Sequence, residues 1–168
     1  MPYPSLYAGQ ILTPELLSSL MPLEVTKLAD EQRTNATMAA DSELALSVAA
    51  NARYELTGYV IYSQNAGASA TTGANFGWSG PAGATLQWTS GGTSGPANLT
   101  TQDVTAGNLS SVRGQPANGI TRMAIIPVGT LITAGASGTF ALRWAQVATN
   151  AVPTYVHADS WIRLRRVA

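Results

Sequence analysis

The sequence predicts an all-β protein: a jelly-roll-like β-sandwich preceded by an extended N-terminal arm that contains one short helix. Two observations carry this expectation. Apolar and polar residues alternate over many short stretches, as a strand with one buried face requires. Turn-forming groups recur between those stretches: Asn65-Ala66-Gly67, Ser79-Gly80-Pro81, Gly91-Gly92, Ser94-Gly95-Pro96 and Asn118-Gly119. Short strands with turns at roughly 8–12-residue spacing are the pattern of a sandwich or barrel. The reading divides the chain into an arm at 1–33 and a β-sandwich at 34–168.

The arm opens with Pro2-Tyr3-Pro4, where two prolines fix φ and hold the chain extended. Thr13-Pro14-Glu15 then starts a helix: Thr13 suits the N-cap, Pro14 the first helical position and Glu15 the positive end of the dipole. Pro22 ends it after about two turns. A helix that short is not stable alone, so Leu16, Leu17 and Leu20 must rest on something. Tyr3, Leu6, Tyr7, Ile11 and Leu12 add more apolar surface than a plain leader needs. The arm is either a clasp on its own domain or an anchor on a partner.

Candidate strands follow at 23–28, 34–38, 43–49, 53–62, 74–79, 84–89, 98–104, 120–127, 139–146, 154–157 and 160–167. Within 53–62, Gly58 interrupts the alternation, which points to a bulge or a close backbone approach that switches the faces. The middle, 67–119, is rich in Gly, Ser, Thr, Ala and Asn, but Phe76, Trp78, Leu86 and Trp88 punctuate it with core material. The end, 138–167, reads as two strands joined by a turn, a hairpin. Phe140, Leu142 and Trp144 share one face of the first strand, and Ile162 and Leu164 share one face of the second. On the opposite faces stand Arg143, Trp161, Arg163 and Arg165, which are too large and too basic for casual surface; they are expected to form the subunit interface or to meet the acidic N-terminal region.

Charged residues are 11% of the chain, less than half of the usual ~25%. A surface of Thr, Ser, Asn, Gln and Gly suits extracellular or virion β-proteins better than a cytosolic enzyme. Net charge is zero but sorted: residues 1–55 carry seven acids and three bases, 56–112 only Asp103, and 113–168 six arginines and Asp159. No basic run is dense enough for a nucleic-acid footprint. No apolar stretch approaches the ~20 residues of a membrane helix, and no signal peptide is visible. With no cysteine, disulfide frameworks and cysteine-based metal or redox sites are excluded.

The search for chemistry gives no catalytic, cofactor-binding or metal site. His157 is the single histidine. On a strand it shares a face with Asp159, while Ser160 points away, so a nucleophile–base–acid triad would need a serine from elsewhere in the fold; the residue reads as structural. The acids Asp30-Glu31 and Asp41-x-Glu43 do not match a calcium loop. Gly91-Gly92-Thr93-Ser94-Gly95 lacks the lysine and the strand–helix setting of a phosphate loop. Trp78, Trp88, Trp144 and Trp161 read as core or interface residues, with an exposed sugar-binding platform as the alternative.

Two stretches carry a resemblance. Pro4-Ser5-Leu6-Tyr7-Ala8-Gly9-Gln10-Ile11-Leu12-Thr13-Pro14-Glu15-Leu16-Leu17 resembles the start of small virion proteins of tailed bacteriophages that infect actinobacteria. Gly138-Thr139-Phe140-Ala141-Leu142-Arg143-Trp144-Ala145-Gln146, followed by Ala158-Asp159-Ser160-Trp161-Ile162-Arg163-Leu164, resembles their ending. The ending is also similar to the last strands of trimeric jelly rolls of the tumour-necrosis-factor and complement C1q type. The resemblance covers about a third of the chain and implies a structural role: a capsid decoration, head fibre or minor tail protein. It implies a homotrimer on the virion, assembled in the host cytoplasm, with the arm docked on the major capsid protein or on tail proteins. The rival function, which rests on loop aromatics and not on the resemblance, is a carbohydrate- or receptor-binding module with host surface glycans as its partner. It implies no catalytic residue and no cofactor.

Overall fold

A computed structural model describes residues 7–14, 16–17, 21–64, 73–91, 107–117 and 122–167. The described chain is all-β. It forms β1 (Leu23–Thr26), β2 (Glu31–Arg33), β3 (Ala39–Val48), β4 (Arg53–Gln64), β5 (Gly73–Ser79), β6 (Thr85–Thr89), β7 (Arg113–Pro116), β8 (Met123–Ile125), β9 (Val128–Ile132), β10 (Gly138–Gln146), β11 (Thr154–Val156) and β12 (Trp161–Arg166).

These strands build two antiparallel sheets. The larger has eight strands, in order β1-β12-β4-β11-β2, with β9 and β8 also on β4 and β6 on β9; the smaller has four, in order β3-β10-β5-β7. Setting aside the three-residue β2, β8 and β11, and β6, which among the described strands pairs only with β9, leaves the orders β1-β12-β4-β9 and β3-β10-β5-β7. Among those eight strands the orders are first–eighth–third–sixth and second–seventh–fourth–fifth. That is a jelly roll.

Alternation explains which faces meet. On β4, Tyr54, Leu56, Val60 and Tyr62 are buried while Arg53, Glu55, Thr57 and Tyr59 face out. From the smaller sheet Phe76, Trp78, Phe140, Leu142 and Trp144 point inward, and Leu86, Trp88, Ile162 and Leu164 answer from the larger. Trp78 stacks on Phe140 with centroids 4.8 Å apart and meets Trp88 edge-on at 5.8 Å. Each fully buried side chain of this size contributes about 1.5–3 kcal/mol, so three of the four tryptophans serve the core.

Gly58 is a close approach: a Cβ there would lie 3.0 Å from both Pro127 Cγ and the Trp161 carbonyl. The expected switch of faces is absent, because burial continues through Leu56, Gly58 and Val60 in unbroken register with β12. Gly129 is tighter still, since a Cβ would meet the Gln87 carbonyl at 2.5 Å.

Three further expectations are corrected. The hairpin over 138–167 does not form: β10 lies in the smaller sheet and β12 in the larger. The two inward faces therefore oppose each other across the core instead of lying side by side. The strand expected at 34–38 is a turn, in which the Asn35 side chain accepts the Thr37 N–H at 3.0 Å, a local bond that competes with a ladder. The sandwich also begins at Leu23, ahead of the expected boundary at 33/34, because β1 and β2 find partners in β12 and β11. The strand expected at 98–104 lies outside the described residues. Of the expected helix, the described part shows the start: the Thr13 hydroxyl accepts the Leu16 N–H at 3.2 Å and its carbonyl the Leu17 N–H at 3.0 Å.

Candidate functional site

The densest polar chemistry sits where the β1–β2 loop meets the β11–β12 turn. Backbone bonds bring the two together: Lys27 N–H donates to the Ser160 carbonyl at 2.7 Å, and Asp159 N–H to the Lys27 carbonyl at 2.9 Å. Asp159 takes a positive φ of 65°, a conformation that aspartate tolerates. The Ser160 hydroxyl braces the turn, donating to the His157 carbonyl at 2.7 Å and accepting the Ile61 N–H at 3.0 Å.

His157 points from this turn into a contact that its neighbours in sequence do not supply. Its Nδ1 lies 3.0 Å from Asp30 Oδ2, and its Nε2 lies 2.8 Å from Ser63 Oγ. The carboxylate partner is thus Asp30, not the expected Asp159. A carboxylate only accepts, so the ring carries a proton on Nδ1; Nε2 accepts from the Ser63 hydroxyl in the neutral ring and donates to it in the charged one. Asp30 Oδ1 also accepts the Ala158 N–H at 2.8 Å. That backbone bond, with the His157 contact and the Arg122 charge, holds the Asp30 carboxyl below the usual carboxylate range against a smaller desolvation cost.

Ser63–His157–Asp30 has the order of a nucleophile–base–acid relay. Two features make it a latch. Ser63 is 8% exposed and lies within the ladder opposite Tyr155, whose ring stacks on His157 with centroids 5.9 Å apart.

Behind the latch lies a buried ion cluster that sequence reasoning set aside. Lys27 Nζ reaches Asp41 Oδ1 at 2.9 Å and Glu31 Oε2 at 3.1 Å. Asp41 Oδ1 also accepts the Glu43 and Leu44 N–H groups at 3.0 and 2.9 Å, and Oδ2 accepts Trp144 Nε1–H at 3.0 Å. Burial opposes the lysine charge, but the carboxylates of Asp41 and Glu31 outweigh it and raise its pKa. For Glu31, burial is again the opposing influence; bonds from Ser42, Arg33 and Lys27 bring it down to about 2. Arg33 completes the cluster, stacking over the Trp144 ring at 4.2 Å. Among the described residues no group of His, Cys, Asp and Glu is arranged to hold a metal ion.

The expected interface set is split by the fold. Trp161, Arg163 and Arg165 lie on the outer face of β12 in the larger sheet, whereas Arg143 is on β10 in the smaller. Arg163 is paired with Glu24 at 2.6 Å and Arg165 with Glu55 at 2.6 Å. The basic end therefore meets acids of the first third of its own chain, across the neighbouring strands β1 and β4. Of the arm residues, Tyr7, Ile11, Leu12 and Leu17 are exposed and Leu16 is half-buried; Tyr3, Leu6 and Leu20 lie outside the described residues.

No protein-family model matches the chain, and no curated protein matches it.

Proposed function

We propose that this chain is a non-enzymatic structural protein of a bacteriophage virion, a homotrimeric jelly roll that decorates the capsid exterior and docks through its N-terminal arm. The observation that carries the reading is the arm. Tyr7 is 74% exposed, Ile11 82% and Leu12 54%, although all three are apolar and precede a sandwich that starts at Leu23. An apolar segment left uncovered by its own domain gains about 25 cal/mol for each Å² that a partner covers. The resemblance of residues 4–17 to the opening of phage virion proteins gives that partner its class: the major capsid protein.

The trimer is supported by the outer face of the larger sheet. Tyr59 stands directly opposite Trp161, and Val128 is two residues along, opposite Thr57. Tyr59 and Val128 are exposed, and flat aromatic and aliphatic surface of this kind favours association.

Removing residues 1–22 tests the arm, since the cut ends just before β1. Expected are a folded β-domain by circular dichroism and loss of attachment to particles; an unfolded product makes the arm a clasp and overturns docking. Immunogold labelling of virions places the protein, and label confined to the tail moves it to the minor-tail class. Light scattering should give about three times 17.4 kDa, and a clean monomer at micromolar concentration ends the trimer.

A further inference from the structure

We propose that the cavity where the chain crosses from β5 to β6 binds an acidic carbohydrate unit, with Arg53 and Arg143 supplying the positive charge of its wall. Residues 80–84 carry the chain from the smaller sheet to the larger one. The space beside this crossing measures about 740 Å³, within the range of ~300–1,000 Å³ typical of ligand sites.

Its lining has three chemical parts. Leu109 and Ile132 supply apolar surface for the C–H face of a ring, with the buried Trp78 and Leu86 behind them. Thr85, Gln87 and Thr130, from β6 and β9, supply hydroxyl and amide groups on one side, and Asn108 and Ser110 on the other. That second wall is already ordered: Asn108 Oδ1 accepts the Ser110 N–H at 3.0 Å, and the Asn108 carbonyl accepts Trp88 Nε1–H at 3.1 Å. A wall fixed before binding does not have to be ordered by the ligand.

The third part is charge, and it sets the sign of the ligand. Arg33, Arg163 and Arg165 each have a carboxylate within ion-pair distance. Arg53 has no described partner, and the described bond of Arg143 goes to the neutral Met38 carbonyl at 2.9 Å. Both line this one cavity, and among the described residues no Asp or Glu lines it with them. Two guanidiniums with no described counter-carboxylate, on the wall of a partly apolar cavity, favour a carboxylate or phosphate. An anion combined with an apolar ring face and a hydroxyl-and-amide rim describes a uronic acid or a phosphorylated sugar. The inference does not rest on the virion reading, and either can fail without the other.

Calorimetric titration of the full-length protein decides it, with three probes: a uronic-acid oligomer, a phosphorylated maltose oligomer and a neutral maltose oligomer. Saturable binding of one or both acidic probes is expected, with the neutral oligomer weaker by about tenfold or more. Binding of one acidic probe alone identifies carboxylate or phosphate as the group recognised. In R53Q, affinity should fall by about tenfold with the melting temperature unchanged, because the Arg53 side chain makes no described hydrogen bond or ion pair and its backbone bonds are kept. R143Q gives a second measurement, and if that variant unfolds, R53Q decides. Absence of saturable binding to both acidic probes overturns the proposal, as does equal affinity for the neutral oligomer or an affinity untouched in R53Q.

Discussion

Lys27 and Asp41 face each other with Nζ and Oδ1 2.9 Å apart, and neither side chain has any exposed surface. Their meeting depends on an irregularity in β3. Its register with β10 runs regularly from Val48 to Ala45, opposite Gly138 to Ala141, and then resumes at Ala40 opposite Arg143. The residues left over, 41–44, curl around the Asp41 carboxylate, which accepts two of their own N–H groups. The bulge is therefore what turns an acid inward, under Trp144 and against the lysine that closes β1. A buried ion pair of this kind is weak grounds for stability by itself, because desolvation opposes the attraction. Breaking it from one side is different.

K27M keeps the volume and removes the charge. Asp41 retains its backbone and Trp144 donors but loses its counter-ion, Glu43 loses its own, and Glu31 keeps only Arg33. The expected cost is about 3–5 kcal/mol, read as a lower urea midpoint at pH 7 with an unchanged slope. A loss below about 1 kcal/mol would show that the carboxylates need no cation here.

The same cluster sets an acid limit. Glu31 has a folded pKa of about 2 against an ordinary 4.5. A depressed carboxylate contributes stability that is fully present above its unfolded pKa and is lost as pH falls through the folded value. Denaturation series should therefore show stability falling between pH 4.5 and about 2, with Glu31 accounting for at most about 3 kcal/mol of the fall. E31Q should be weaker at pH 7 and lose less below pH 4.5. An identical acid slope in both proteins would place the loss in other carboxylates, Asp30 among them.

Much of the sandwich was legible in the sequence, and the reason is period. Phe140, Leu142 and Trp144, then Ile162 and Leu164, announce their inward faces by alternation, and all five are fully buried. What alternation does not encode is which sheet a strand joins. The 138–167 segment reads as a hairpin because nothing local distinguishes a turn from a link that crosses the sandwich. β9 was missed although Val128, Thr130 and Ile132 alternate with Gly129 and Leu131, since a glycine two residues after Pro127 looks like a break. The latch and the ion cluster were illegible for a different reason. Asp30 and His157 are separated by 127 positions and Lys27 and Asp41 by 14, and no periodicity links such pairs. The cavity's arginines, Arg53 and Arg143, come from separate sheets in the same way.

The latch makes a prediction of its own. D30N removes the charge that accepts from His157 Nδ1 and the Ala158 N–H, so the β1–β2 loop should loosen from the β11–β12 turn. Amide exchange at Lys27, Ala158 and Asp159 should speed up by about tenfold, equivalent to about 1.4 kcal/mol of local opening, while exchange in β5 and β10 stays unchanged. A serine-directed fluorophosphonate should leave the mass of the native protein unchanged. Covalent labelling at Ser63 would show instead that the relay is open to reagents and would overturn its reading as a latch.

Gly129 supplies the sharpest packing test. Its Cα faces β6 so closely that an added Cβ would lie 2.5 Å from the Gln87 carbonyl and 2.9 Å from Trp88 Cβ. Backbone cannot give way as a side-chain tip can, so G129A must push β6 away from β9 and disturb both Trp88 and the cavity wall. The expected cost is about 1–3 kcal/mol, the range of overpacking. G135A is the control, since a Cβ there meets nothing within 4 Å and should change stability by less than about 0.5 kcal/mol. Thermal melts of the two variants side by side carry the comparison, and equal midpoints would mean that β6 rests on β9 less tightly than this spacing requires.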